Sequence, residues 1–179
     1  NSTSTWSASS GGSSGASIPV AGDIVYIGEA NTGRTVTIPS GYTANCASLT
    51  IGSNSYNKGN GIELAGSTSI LNVSGELRLN RPSGNNKTIV KVDNGTVSVG
   101  GNCNFIGTAT NSDREIEIDI SDGAFSVEGD LNIDEGATGN NLINMGGGVG
   151  TLSIGGDFDP VKTDFTKGNS TVIYDGTVA

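Results

Sequence analysis

Apolar residues along this chain fall in short alternating blocks, set apart by glycine and polar runs, and the blocks return at a nearly fixed interval. Four of them superimpose: Leu71-Asn-Val73-Ser-Gly75-Glu-Leu77, Val97-Ser-Val99-Gly-Gly101-Asn-Cys103, Phe125-Ser-Val127-Glu-Gly129-Asp-Leu131 and Leu152-Ser-Ile154-Gly-Gly156-Asp-Phe158. The second apolar member stands at 73, 99, 127 and 154, intervals of 26, 28 and 27 residues. A partial copy, Leu49-Thr-Ile51-Gly52, ends its apolar pair 22 residues before Val73. Self-similarity at such a period is the signature of a stacked-repeat architecture.

Within each unit the alternation has period two, which marks strands buried on one side. A first strand carries Ile62/Leu64, Val90/Val92, Ile118/Ile120 and Ile143/Met145. A corner follows, written Asp93-Asn-Gly95, Ser121-Asp-Gly123 and Gly146-Gly-Gly148, and leads to the aligned block as second strand. A two-residue turn ending in Gly75, Gly101, Gly129 or Gly156 opens the third strand, glycine being suited to φ > 0. Polar loops over 80–87, 107–114 and 134–141 close the unit.

Strands are therefore expected at 62–64, 89–92, 115–120 and 142–145, then 71–73, 97–99, 124–127 and 152–154, then 76–79, 102–106, 130–133 and 157–159. Stacking such units predicts an all-β fold: a single-stranded right-handed parallel β-helix (β-solenoid) with about 27 residues and three short strands per coil, five to six coils in all. The hand follows the crossover rule for parallel strands. Like residues then stack about 4.8 Å apart, in columns such as Val73–Val99–Val127–Ile154.

Residues 1–17, rich in Ser, Gly and Thr, read as a linker or docked N-terminal arm, and 18–179 as the β-helix domain, expected to be part of a longer chain. Trp6 is expected to cover the open apolar end of the helix, since terminal coils need a cap. Short strands at Thr171–Tyr174 and Thr177–Val178 begin a sixth coil. Cys103 shares the inward phase of Leu77, Leu131 and Phe158, whereas Cys46 stands at a different phase, so no disulfide is expected.

Composition narrows the function. The 179 residues carry a net charge of −9 with no histidine. Nucleic-acid binding, which needs clustered Lys and Arg, is not expected. The missing histidine removes the commonest general base and metal ligand, together with Ser-His and Cys-His nucleophiles. Zinc and other transition-metal sites lose their usual ligand. No stretch approaches the roughly 18 apolar residues of a membrane helix, so no membrane insertion is expected. A monomer is expected.

The repeat alignment also pairs charges across coils. Glu63, Lys91, Asp119 and Asn144 share an outward column on the first strand, Lys87 faces Glu115, and both groupings read as structural cross-strand pairs. The column Thr50–Asn72–Ser98–Ser126–Ser153 forms a ladder of hydroxyls and amides. On the third strand the outward columns are Glu76–Asn102–Asp130–Asp157 and Arg78–Asn104–Asn132–Asp159. Glu76 has Arg78 as a partner, while Asp130, Asp157 and Asp159 have no basic neighbour. Asn102, Asn104, Asp130, Asn132, Asp157 and Asp159 are the candidate ligand- or cation-binding residues. Stacked carboxylates and amides offer the oxygen-rich surface that a calcium ion takes. They also read as a solvated acidic face that discourages edge pairing. No cofactor is required, calcium is the one this face would admit, and no catalytic residue is assigned. Tyr42 and Tyr56 are the tyrosines in loops flanking the helix, and aromatic platforms for sugars are scarce in the repeats.

The segments Ile18-Pro-Val-Ala-Gly22-Asp23-Ile-Val25, Thr35-Val-Thr-Ile38-Pro39 and Ala47-Ser-Leu-Thr-Ile51, after a leading Trp6, resemble the start of right-handed parallel β-helix domains in large secreted or cell-surface proteins of Bacteroidetes type. Those include adhesins and multidomain polysaccharide-degrading proteins. The resemblance covers about residues 6–51. It implies a bacterial, secreted or cell-surface module with neighbouring domains in the same chain and a polysaccharide or surface glycan as partner. A more distant likeness, to pectate-lyase-like β-helices, rests on the acidic face and implies calcium-dependent β-elimination with an Arg or Lys base. Arg78 is the only basic residue on that strand, and fold alone does not license the activity. The reading is a non-catalytic, carbohydrate-associated β-helix module, with an adhesin stalk and a calcium-dependent polysaccharide lyase as alternatives.

Overall fold

In a computed structural model, which describes residues 6–9, 12–28, 32–107, 114–134 and 140–176, the chain is a parallel β-helix. The first coil holds β1 (Ile24–Ile27), β2 (Arg34–Ile38) and β3 (Thr43–Cys46), and the second β4 (Ser48–Ile51), β5 (Asn60–Leu64) and β6 (Ile70–Val73). The third holds β7 (Leu77–Asn80), β8 (Lys87–Lys91) and β9 (Thr96–Val99), and the fourth β10 (Cys103–Ile106), β11 (Glu115–Asp119) and β12 (Ala124–Val127). The fifth holds β13 (Leu131–Ile133), β14 (Asn140–Asn144) and β15 (Thr151–Ile154), and β16 (Asp164–Thr166) and β17 (Thr171–Tyr174) enter a sixth.

Every third strand pairs in parallel. The three sheets run β1-β4-β7-β10-β13, β2-β5-β8-β11-β14-β16 and β3-β6-β9-β12-β15-β17. Because side chains alternate along a strand, each sheet sends one set of columns inward and another outward. The inward columns are Val25–Leu49–Leu77–Cys103–Leu131, Val36–Ile62–Val90–Ile118–Ile143–Phe165 and Ala44–Leu71–Val97–Phe125–Leu152–Val172. Cys46–Val73–Val99–Val127–Ile154 completes the wall beside the last of these, and Val127 is only 2% exposed. At about 1.5–3 kcal/mol per fully buried aliphatic or aromatic side chain, these columns are the main source of stability.

The strand boundaries match the expected ones to within a residue or two, except at the two ends of the repeat. The block Leu49-Thr-Ile51 does not belong with the second strands: Leu49 pairs with Leu77 and Thr50 with Arg78. The true equivalents of Leu71 and Val73 in the first coil are Ala44 and Cys46, and Asn45, not Thr50, heads the Asn72–Ser98–Ser126–Ser153 column. Ala and Cys are small, so they mark a strand weakly in the hydrophobic pattern, and the stronger Leu49/Ile51 pair takes their place in an alignment. At the other end, 157–159 forms no strand. Phe158 makes a single bridge to Leu131, and Asp159 instead caps a 3-10 turn over Pro160–Lys162. The expected strand at Thr177–Val178 lies outside the described residues, as do parts of the loops 107–114 and 134–141 and of the arm.

The corner glycines serve a different need from the one expected. Positive φ falls on Asp93 (49°) and Ser121 (51°), and Gly75, Gly101, Gly129 and Gly156 are absent from the positive-φ glycines. These four stack on one another, each donating its N–H to the carbonyl of the preceding coil at 2.8–3.2 Å, from Ala47 through Gly129. A Cβ on Gly129 would lie 3.0 Å from backbone atoms of Gly101, and one on Gly156 2.6 Å from the Gly129 carbonyl carbon. Close backbone approach is what requires glycine here.

At the N-terminal end Trp6 is partly buried against the core, and its carbonyl accepts N–H groups from Gly15 (2.9 Å) and Ala16 (3.0 Å). Cys46 and Cys103 are both free and buried, in different sheets.

Candidate functional site

The outer face of the β1-β4-β7-β10-β13 sheet carries the candidate residues. Register places Arg78, Asn104 and Asn132 in one column, continued upward by Thr50 and Tyr26. The amides form a ladder: Asn132 Nδ2 donates to Asn104 Oδ1 at 2.8 Å, and Asn104 Nδ2 donates to Glu76 Oε1 at 2.7 Å. Arg78 does not pair with Glu76 as expected. Its Nε donates to Asn80 Oδ1 at 3.1 Å, and none of the ion pairs among the described residues includes it. Glu76 has turned to the asparagine, whose amide offers a directed donor.

The neighbouring column lies at the turn into this face. Asn102 Oδ1 accepts the N–H of Asp130 at 3.0 Å, and Asp130 Oδ1 accepts the N–H of Asp157 at 2.9 Å. Each side chain thus satisfies a backbone donor of the next coil. Asn102 Nδ2 also approaches Asp130 Oδ2 at 3.5 Å. Asp130 has no cation beside it, but its carboxylate is held by these hydrogen bonds. The sixth candidate departs from the column: Asp159 Oδ1 accepts the N–H of Val161 at 3.1 Å as the cap of the 3-10 turn. The structure therefore brings Asn102, Asn104, Asp130 and Asn132 together, keeps Asp157 at their end through its backbone, and turns Asp159 aside. Among the described residues no group of three or more acidic or cysteine side chains is placed to hold a metal ion.

Of the charge pairs expected on the β2-β5-β8-β11-β14-β16 sheet, Glu63–Lys91 and Lys87–Glu115 form, whereas none of the ion pairs among the described residues includes Asp119. Glu63 and Asp119 flank Lys91 in register, and Lys91 Nζ lies 3.0 Å from Glu63 and 3.2 Å from Asp93. Lys87 Nζ lies 2.8 Å from Glu115 and also 2.5 Å from Glu117. Partial burial acts to lower the pKa of Lys87, but hydrogen bonds to Glu115 and Glu117 outweigh it and raise the value. For Asp119, burial raises the pKa, helped by Glu117 and Asp93. This face is a structural ion-pair network.

Two features escaped the sequence. Arg81, which follows β7, is 2% exposed. Its Nε donates to the Gly107 carbonyl at 2.9 Å, Nη1 to the Arg114 carbonyl at 2.6 Å, and Nη2 to Asn141 Oδ1. Burial lowers its pKa, and the nearby Asp134 carboxylate opposes the shift. A lone arginine before Pro82 gives no pattern-level signal of burial. The second is Tyr26, 52% exposed at the head of the Asn104–Asn132 column. Alternation in Ile24-Val25-Tyr26-Ile27 shows apolar residues on both sides of the strand, so the side that faces outward could be read only from Val25 and Ile27 being the buried pair.

Comparison of the chain with family models, with curated proteins and with solved structures returns no match.

Proposed function

We propose that this chain is a non-catalytic β-helix module of a large secreted or cell-surface protein, and that it presents the outer face of the β1-β4-β7-β10-β13 sheet to a neutral polysaccharide. The observation that carries this reading is the asparagine ladder. Asn132 and Asn104 each use one N–H proton along the column, which leaves a second donor on each and the remaining lone pairs directed toward solvent. Amide groups repeated about 4.8 Å apart suit the hydroxyls of an extended sugar chain, and the net charge of −9 works against polyanions. The resemblance of residues 6–51 to β-helix domains of secreted Bacteroidetes-type proteins supports the location and the presence of neighbouring domains.

Electrophoresis of the chain through native gels containing xylan, mixed-linkage β-glucan, galactomannan or pectin tests the reading, with reducing ends and ultraviolet absorbance followed in parallel. Retardation in a neutral-polysaccharide gel without product is the expected result. Unchanged mobility in every gel overturns binding, and sustained product formation abolished by Arg78→Ala replaces it with a lyase. The stalk reading draws on a specific observation of its own: Asn102 and Asp130 spend their side chains on capping the next coil.

A further inference from the structure

The binding face does not end at the first coil. Tyr26 and Trp6 are among the residues lining an open cleft of about 970 Å³ between described parts of the N-terminal arm, β1 and the beginning of β2. Ser17, Thr35, Asp23 and Arg34 line the same cleft. Neither charge is consumed by an ion pair among the described residues. Asp23 Oδ2 accepts the N–H of Val20 at 2.9 Å, and Arg34 Nη1 donates to the Gly33 carbonyl at 3.2 Å.

Aromatic rings offer an apolar platform, and hydroxyls with one donor-rich and one acceptor-rich group offer directed hydrogen bonds in both senses. That combination matches a sugar ring, which has C–H faces and a rim of hydroxyls. The overall charge of −9 opposes an acidic glycan. The column that Tyr26 heads continues through Thr50 and Arg78 to Asn104 and Asn132. Four coil steps separate Tyr26 from Asn132, about 19 Å at the parallel-strand spacing.

We infer that this cleft is an aromatic anchor subsite for one end of a neutral oligosaccharide, whose following residues run down the Asn104–Asn132 ladder. The inference rests on the face being a glycan surface and adds where the chain is gripped. Trp6 is the only tryptophan and lines the cleft as well as packing against the core, so a change in emission on binding is a change at this one ring.

The test is a fluorescence titration of the whole chain with cellohexaose, xylohexaose, mannohexaose and oligogalacturonate, with heats measured in parallel by calorimetry. A saturable change in Trp6 emission is expected with at least one neutral hexasaccharide. Tyr26→Ala is expected to weaken it at least tenfold and Arg34→Gln severalfold, with melting temperatures within about 2 °C of the parent because both side chains are exposed. Heat of binding with silent Trp6 emission overturns the cleft and leaves the face standing; neither heat nor emission change overturns both. A response unaltered by Tyr26→Ala, or strongest with oligogalacturonate, overturns the aromatic anchor or its neutral ligand.

Discussion

Cys46 and Cys103 stand in inward columns, where burial disfavours the charged thiolate. Burial, with a smaller contribution from Asp23, pushes the Cys46 thiol up to about 11, and burial raises Cys103 further. The folded state holds both protons more tightly than the unfolded chain, whose thiols titrate near about 8.5. Stability is therefore expected to be unaffected by these groups below that value and to fall as pH rises toward 11. Alkylation by iodoacetamide at pH 8 should proceed only after denaturant is added; rapid native labelling would place a thiol at the surface. Gly129 gives a second residue-scale test. Gly129→Ala brings a methyl against the Gly101 backbone and is expected to cost about 1–3 kcal/mol in denaturant melts, an overpacking penalty. An unchanged midpoint would mean that the turn stack relaxes freely. The sequence marked these glycines by their recurrence. It did not reveal the reason, because close approach between coils is a property of the stack and not of any single turn.

At the scale of elements, the inward columns were legible because Val, Ile, Leu and Phe repeat in phase, and Val127→Asp tests them directly. A carboxylate between Val99 and Ile154 has no partner, and a loss of more than about 3 kcal/mol is expected. A melting midpoint within about 2 °C of the parent would remove Val127 from the core. The end of the repeat was less legible. Hydrophobic phase alone extended a third strand over 157–159, whereas Asp159-Pro160 is a turn signal: proline has no N–H to give a ladder, and aspartate caps the turn. Asp130 separates capping from charge. Asp130→Asn keeps an oxygen for the Asp157 N–H and is expected to melt with the parent, while Asp130→Ala gives that exposed donor to water and loses one hydrogen bond, about 1 kcal/mol. Arg81 was illegible, since its partners are the carbonyls of Gly107 and Arg114 and the Asn141 amide of β14, 26 to 60 residues away. Arg81→Met should cost about 1–3 kcal/mol for each acceptor left unpaired. Arg81→Lys should recover part of that loss, because an ammonium cannot reproduce the fork. Equal stability of all three proteins would show that the contacts of Arg81 to Gly107, Arg114 and Asn141 contribute nothing to folding.

At the scale of the molecule, the outward interactions of the described residues differ from sheet to sheet. Ion pairs occupy one sheet, amides and hydrogen-bonded carboxylates a second, and the strands of the β3-β6-β9-β12-β15-β17 sheet carry no charged residue at all. The first two patterns followed from the repeat, because a period near 27 residues fixes which outward side chains are neighbours. The place of Tyr26 at the head of the Asn104–Asn132 column did not follow, because the first coil was one strand out of register in the alignment and Thr50 was assigned to a different sheet. The most direct test of the account is calorimetric titration of the full chain with a neutral hexasaccharide that retards it in gels, compared with Asn104→Leu/Asn132→Leu. Saturable binding by the parent is expected, with at least tenfold weaker binding by the variant and closely similar melting curves, since both amides point away from the core. Equal affinity in the two proteins would contradict it.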